Sequence, residues 1–122
     1  MTTTAAAHRL ADYGDLLTLE LVEDGPRAGA TGGTPVESSK TLYADTVCEI
    51  GVWACTPGTF PGAKDGIGEH MLILAGDATV TGDDGTTIDL RPGVSFVMPD
   101  GWAGRWEVRE TIRKQYTIWR TR

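Results

Sequence analysis

Residues 57–76 read PGTFPGAKDGIGEHMLILAG. A loop rich in Gly and Pro leads to a carboxylate, Glu69, and then into MLILAG, an apolar run that closes on a glycine. If that run is a strand, alternation puts Glu69, Met71 and Ile73 on one face and His70 on the other. A glutamate heading an apolar inner face needs a counter-charge, because an unpaired buried ion costs several kcal/mol. Residues 91–108, RPGVSFVMPDGWAGRWEV, repeat the pattern of turn, strand, turn, strand. The two stretches read as two halves of one small β-barrel pocket.

Outward from this pair, short strands and turn signals fill the chain from Thr41. TLYA (41–44), TVCEIGVWAC (46–55), GEHMLILA (68–75), DATVT (77–81), TTIDL (86–90), VSFVM (94–98), WAGRWEV (102–108) and TIRKQYTIWRT (111–121) carry strand character. Thr56-Pro57-Gly58, Gly76-Asp77, Gly82-Asp83-Asp84-Gly85, Arg91-Pro92-Gly93 and Pro99-Asp100-Gly101 supply the turns, and Arg109-Glu110 joins the last two strands. No run has helical period. Regularly spaced strands and turns predict an all-β, antiparallel barrel or sandwich. Upstream, DLLTLELV (Asp15–Val22) alternates and predicts a further strand, while residues 23–40 predict a long surface loop. GATGGT within that loop lacks the Gly-Lys-Ser/Thr ending of a phosphate-binding loop. Residues 1–14 predict a loose tail with one helical turn at Ala5–Ala11, leaving 15–122 as a single barrel domain.

The 122 residues suit one domain with its own core. With 40% hydrophobic and 23% charged residues the chain reads as globular, and a net charge of −6 argues against a nucleic-acid partner. Cys48 and Cys55 fit neither a disulfide framework nor a CxxC motif. The opening residues lack the pattern of a secretory leader, and no apolar run approaches the roughly 20 residues that cross a bilayer. These features predict a cytoplasmic protein with no membrane partner.

The two stretches resemble the cupin family. Glu69 and Gly76 have the spacing that ends its first motif, and Gly93, Pro99 and Gly101 are in register with its second. The likeness covers about residues 41–120. It is stronger to the small single-domain cupins of the ureidoglycine aminohydrolase and ethanolamine-utilisation type, through Gly51-Val52-Trp53, Pro57-Gly58, Asp84-Gly85, Trp106 and Arg113-Lys114. The resemblance implies a jelly-roll barrel of two antiparallel sheets and a homodimer, with the strand at Asp15–Val22 reaching the partner. It also locates a departure. Metal-binding cupins carry an HxH pair before the glutamate and a third histidine in the second motif. Here the pair falls on Gly62 and Lys64, or on Ala63 and Asp65, and the third falls on Gly104. Of the usual ligands only Glu69 is kept, which predicts no metal and no other cofactor.

Strand parity proposes the barrel's contents. Lys114, Tyr116 and Ile118 share one face, as do Gly104 and Trp106. The interior would thus offer Glu69, Lys114 and Tyr116 as polar groups that could carry protons, with Trp53, Met71, Met98 and Trp106 as ligand surface. Each also has a purely structural use: an ion pair that neutralises itself, a hydrogen bond in the core, aromatic packing. Two functions follow from different classes: a metal-independent enzyme acting on a small polar organic molecule, or a barrel that binds such a ligand without turnover. A metal-dependent enzyme with unusual ligands is a third, weaker reading.

Overall fold

The computed structural model describes residues 9–122, and none of them is helical. The strands are β1 (Val22–Pro26), β2 (Gly32–Gly33), β3 (Val36–Ala44), β4 (Cys48–Cys55), β5 (Gly58–Ala63), β6 (Ile67–Gly82), β7 (Thr87–Leu90), β8 (Ser95–Met98) and β9 (Ala103–Arg120). Two long strands carry the architecture. β6 and β9 pair antiparallel from Ile67 opposite Arg120 to Gly82 opposite Gly104. Their register slips repeatedly between Ile73 and Ala78, and there both strands turn a corner. Gly76 sits in it with φ of 98°, where a Cβ would lie 2.2 Å from the Thr111 carbonyl oxygen. Only glycine fits that close approach and that backbone angle.

The corner splits each long strand and so generates two sheets. One runs β1-β3-β4-β9-β6-β8, using residues 112–120 of β9. The other runs β2-β5-β9-β6-β7, using residues 103–108. Every pairing is antiparallel, and the sheets face each other as a jelly-roll barrel. Met71, Ile73 and Ile112 from the first join Phe60, Val80 and Val108 from the second in one apolar cluster. Along β9 the inner residues Trp106, Val108, Ile112, Lys114 and Tyr116 are buried while Arg105, Glu107 and Arg109 are exposed. That period of two is what makes the strand legible.

Four expectations need correction. Residues 15–21 are not a strand: Leu16–Thr18 form a turn and β1 begins only at Val22. The Asp15 carboxylate accepts the Leu17 N–H at 2.8 Å and the Asp15 carbonyl accepts the Thr18 N–H at 3.2 Å, so local bonds displace the ladder. The segment is tied to its own barrel, since Arg113 donates to the carbonyls of Leu16 and Leu19 at 2.7 and 3.1 Å. Residues 23–40 are not one loop but contain β1, β2 and the start of β3; the inward members of that hairpin, Glu37 and Ser39, are polar and gave no apolar alternation. Gly76-Asp77 is a bend within β6 rather than a turn between strands, and Arg109-Glu110 lies inside β9. The helical turn expected at Ala5–Ala11 falls mostly outside the described residues, and residues 9–11 show no helix.

Candidate functional site

The pairing register writes rows of inward side chains across the first sheet. Ser39 lies opposite Trp53, Trp53 opposite Lys114, and Lys114 opposite Ile73. One row along, Gly51 faces Tyr116 and Tyr116 faces Met71; one further, Ile118 faces Glu69 and Glu69 faces Met98. Lys114 and Glu69 are therefore diagonal neighbours on adjacent strands, and the lysine chain is long enough to close the gap.

It does so at 2.7 Å, from Nζ to Glu69 Oε2. The other carboxylate oxygen, Oε1, accepts from Lys64 Nζ at 2.6 Å. Two of the chain's three lysines thus meet on one carboxylate, and only Lys40 lies elsewhere. Glu69 is 2% exposed and Lys114 6%, whereas the Lys64 side chain keeps 18% of its surface open. Lys114 is also caged: its Nζ lies 4.5 Å from the Trp53 ring centre, 5.1 Å from that of Trp106, and 3.3 Å from Met71 Sδ. Burial pushes the Lys114 ammonium down from its ordinary pKa, with Glu69 pulling back. Burial alone would raise Glu69, but Lys114 and Lys64 together outweigh it and hold the carboxyl below the usual range.

A cavity of about 260 Å³ opens over this triad. That is just under the roughly 300–1,000 Å³ of ordinary small-molecule sites, so only a small molecule would fit. Trp53, Trp102 and Trp106 wall it, and Arg27, Glu37 and Asp24 stand at its polar side. Arg27 donates to Glu37 at 2.7 Å and lies 4.7 Å over the Phe60 ring; Asp24 accepts from Ser39 Oγ at 2.7 Å.

The sequence-predicted residues mostly converge here. Glu69, Lys114, Trp53, Met98, Trp106 and the ring of Tyr116 line the cavity. Met71 does not: it is fully buried beneath Lys114, its sulfur against the ammonium, so its role as ligand surface is corrected to support. The Tyr116 hydroxyl donates to Glu49 at 2.6 Å, and burial followed by that bond pushes the phenol well above its ordinary pKa. A Cβ at Gly51 would sit 2.5 Å from that oxygen, so the glycine is what lets the tyrosine cross its strand. Lys64 was missed as a candidate. It lies at the second position of one HxH placement, and its charge was the available signal.

The residues do not fit a cupin metal site. Both Glu69 oxygens are engaged by ammonium groups, which are not donors to a cation. Gly104 has no room for a histidine, since a Cβ there would lie 2.2 Å from the Thr81 carbonyl oxygen and 2.7 Å from the Trp102 ring. Among the described residues no group of three or more His, Cys, Asp or Glu side chains could hold a metal ion. No helix among them is long and apolar enough to cross a membrane.

Comparison with known proteins agrees with the fold. The profile of the EutQ-like cupin domain matches residues 42–116. No curated protein matches the chain. Among solved structures, EutQ of Clostridium difficile aligns with a TM-score of 0.62 at 18% identity, over 70% of this chain and 64% of that one. A protein of unknown function of the DUF861 family from Pseudomonas syringae pv. tomato aligns with 0.74 at 24% identity, over 85% and 46%. A putative ethanolamine utilization protein Q from Salmonella typhimurium aligns with 0.64 at 19% identity, over 80% and 79%. The chain thus spans less than two thirds of the first two relatives, and at these identities the likeness is one of fold.

Proposed function

The chain belongs to the EutQ-like cupin domain family, and on that premise we propose that its barrel binds a small polar organic molecule without a metal, on the Lys64–Glu69–Lys114 triad. One observation carries the reading: three ionisable side chains meet at the base of an open cavity. A barrel that needed only to be filled would be more stable with apolar residues there, because a buried ion pair commonly loses to well-packed hydrophobic groups. The tryptophan walls offer apolar and π surface, and the Nζ of Lys64, the most open member of the triad, supplies donors. The ligand class that matches is a small molecule with one acceptor-rich end, such as a carboxylate, carbonyl or ureido group.

Recognition fits the geometry better than proton transfer by Glu69 or Tyr116. Both oxygens of Glu69 accept from ammonium groups, and the Tyr116 proton is committed to Glu49. The test is a thermal-shift and tryptophan-fluorescence screen with small carboxylates, amines, carbonyl and ureido compounds. A binder should stabilise the protein and change the emission of Trp53 and Trp106, and Lys64→Met should weaken it. A screen in which no class binds, or in which binding ignores Lys64→Met, would overturn the proposal.

A further inference from the structure

One carboxylate stands between two lysines, and it balances the charge of only one. A second buried positive charge costs several kcal/mol, and loss of a proton removes that cost. Of the two, Lys114 is the one that gives up its proton more readily on burial: it is 6% exposed, whereas the Lys64 side chain keeps 18% of its surface open. Burial pushes Lys114 in that direction first, Glu69 pulls against it, and the neighbouring charge of Lys64 adds to the push. A desolvated lysine beside a second cation is a recognised way to make an amine nucleophilic.

We propose that Lys114 captures a small aldehyde or ketone in the barrel as an imine, with Lys64 as proton donor and Glu69 holding the charge between them. The inference rests on the ligand site proposed above and adds the ligand's reactive group. The Lys114 Nζ lone pair forms a bond to the carbonyl carbon, and the C=O π pair moves to oxygen, which takes a proton from Lys64. The new ammonium then returns a proton to Lys64, while Glu69 stays ionised between the two nitrogens. The hydroxyl then takes a proton from Lys64 and leaves as water while the nitrogen lone pair closes the C=N bond. The balance is amine plus carbonyl plus one Lys64 proton, giving iminium plus water, with no oxidant or reductant. The positive charge has moved from one side of Glu69 to the other, so the triad's net charge is unchanged. The aromatic walls limit the water that would hydrolyse the product.

The chain's three lysines make the test direct. Native protein is incubated with acetaldehyde or glyoxylate and cyanoborohydride near neutral pH, and adducts are located by peptide mapping. The adduct at Lys114 should form severalfold faster than at exposed Lys40. Lys64→Met should slow labelling of Lys114 severalfold, because Glu69 then pairs with Lys114 alone and keeps it charged. A merely accessible lysine would label as fast or faster in that variant. Labelling of Lys40 with Lys114 unmodified in the wild type, or undiminished labelling of Lys114 in a folded Lys64→Met variant, would overturn the proposal. Thermal shift with the same carbonyl compounds and no reductant separates the two readings. Stabilisation without adduct removes imine formation and leaves the binding site, whereas no binding by any compound class removes both.

Discussion

Replacing Glu69 by Gln tests the triad most severely. The amide keeps the shape but removes the one negative charge that Lys64 and Lys114 share at 2.6 and 2.7 Å. Removing one partner of a buried ion pair costs about 3–5 kcal/mol. The lower end applies here, because Lys64 is partly open to solvent and Lys114 can shed its proton. With about 2.1 cal/mol/K of unfolding entropy per residue, 122 residues give about 4 °C per kcal/mol, so the melting point should fall by about 12 °C. Glu69→Gln combined with Lys114→Met should recover more than half of the loss, since no charge is then sealed behind the tryptophans. The pH dependence fixes the mechanism. The folded pKa of Lys114 lies below its unfolded value, so the unfolded chain binds more protons between the two, and stability rises with pH through that window up to the ordinary lysine range near ~10.4. Without Glu69 the folded value drops further, so the variant's stability should climb more steeply than the wild type's from neutral pH upward. The assay is thermal and urea unfolding of wild type, single and double variants across neutral to alkaline pH. A single variant within about 1 kcal/mol of wild type, with the same pH slope, would refute the claim that these three groups form a buried charged unit.

In acid the sign is the same. Glu69 has a folded pKa below its unfolded one, so its contribution is present above the ordinary carboxylate range near ~4.3 and is lost as pH falls through the folded value; the gap between wild type and Glu69→Gln should therefore close in acid unfolding curves. Gly51→Ala should cost about 1–3 kcal/mol in denaturant unfolding, because its Cβ would sit 2.5 Å from Tyr116 Oη and 2.7 Å from the Lys40 carbonyl oxygen. Elemental analysis of protein purified without chelators should find no stoichiometric transition metal, and one ion per chain that is lost on Glu69→Gln would contradict the donor-set argument. Light scattering should give twice the 13.1 kDa chain mass, because the first sheet ends on β1 and β8 and open edges favour pairing; a monomer at micromolar concentration would remove the dimer.

How far the sequence could be read depends on which physical signal each residue emits. Alternation in MLILAG and in TIRKQYTIWRT is a signal of burial on one face, and it correctly turned Glu69 and Lys114 inward on neighbouring strands. The same rule failed at DLLTLELV, where Asp15 bonds its own backbone, and was silent along β3, where the inner face is Glu37 and Ser39. Lys64 was invisible for a different reason. It follows β5, in the link to β6, where no parity rule applies, and only the fold shows that this link carries its side chain over Glu69. Its position nevertheless explains why the glutamate is tolerated. In the histidine-bearing cupins the carboxylate meets a divalent cation, so a charge of −1 faces +2. Here one placement of the histidine pair puts Lys64 at its second position, the third position is a glycine with no room for a side chain, and the opposing charge is available from two ammonium groups instead. The electrostatic demand of the buried carboxylate is met either way, but the substitution exchanges a Lewis acid for a pair of amines. On the proposed reading the barrel's chemistry is amine and hydrogen-bond chemistry, and Lys114 and Lys64, more than Glu69, are the residues whose substitution tests it.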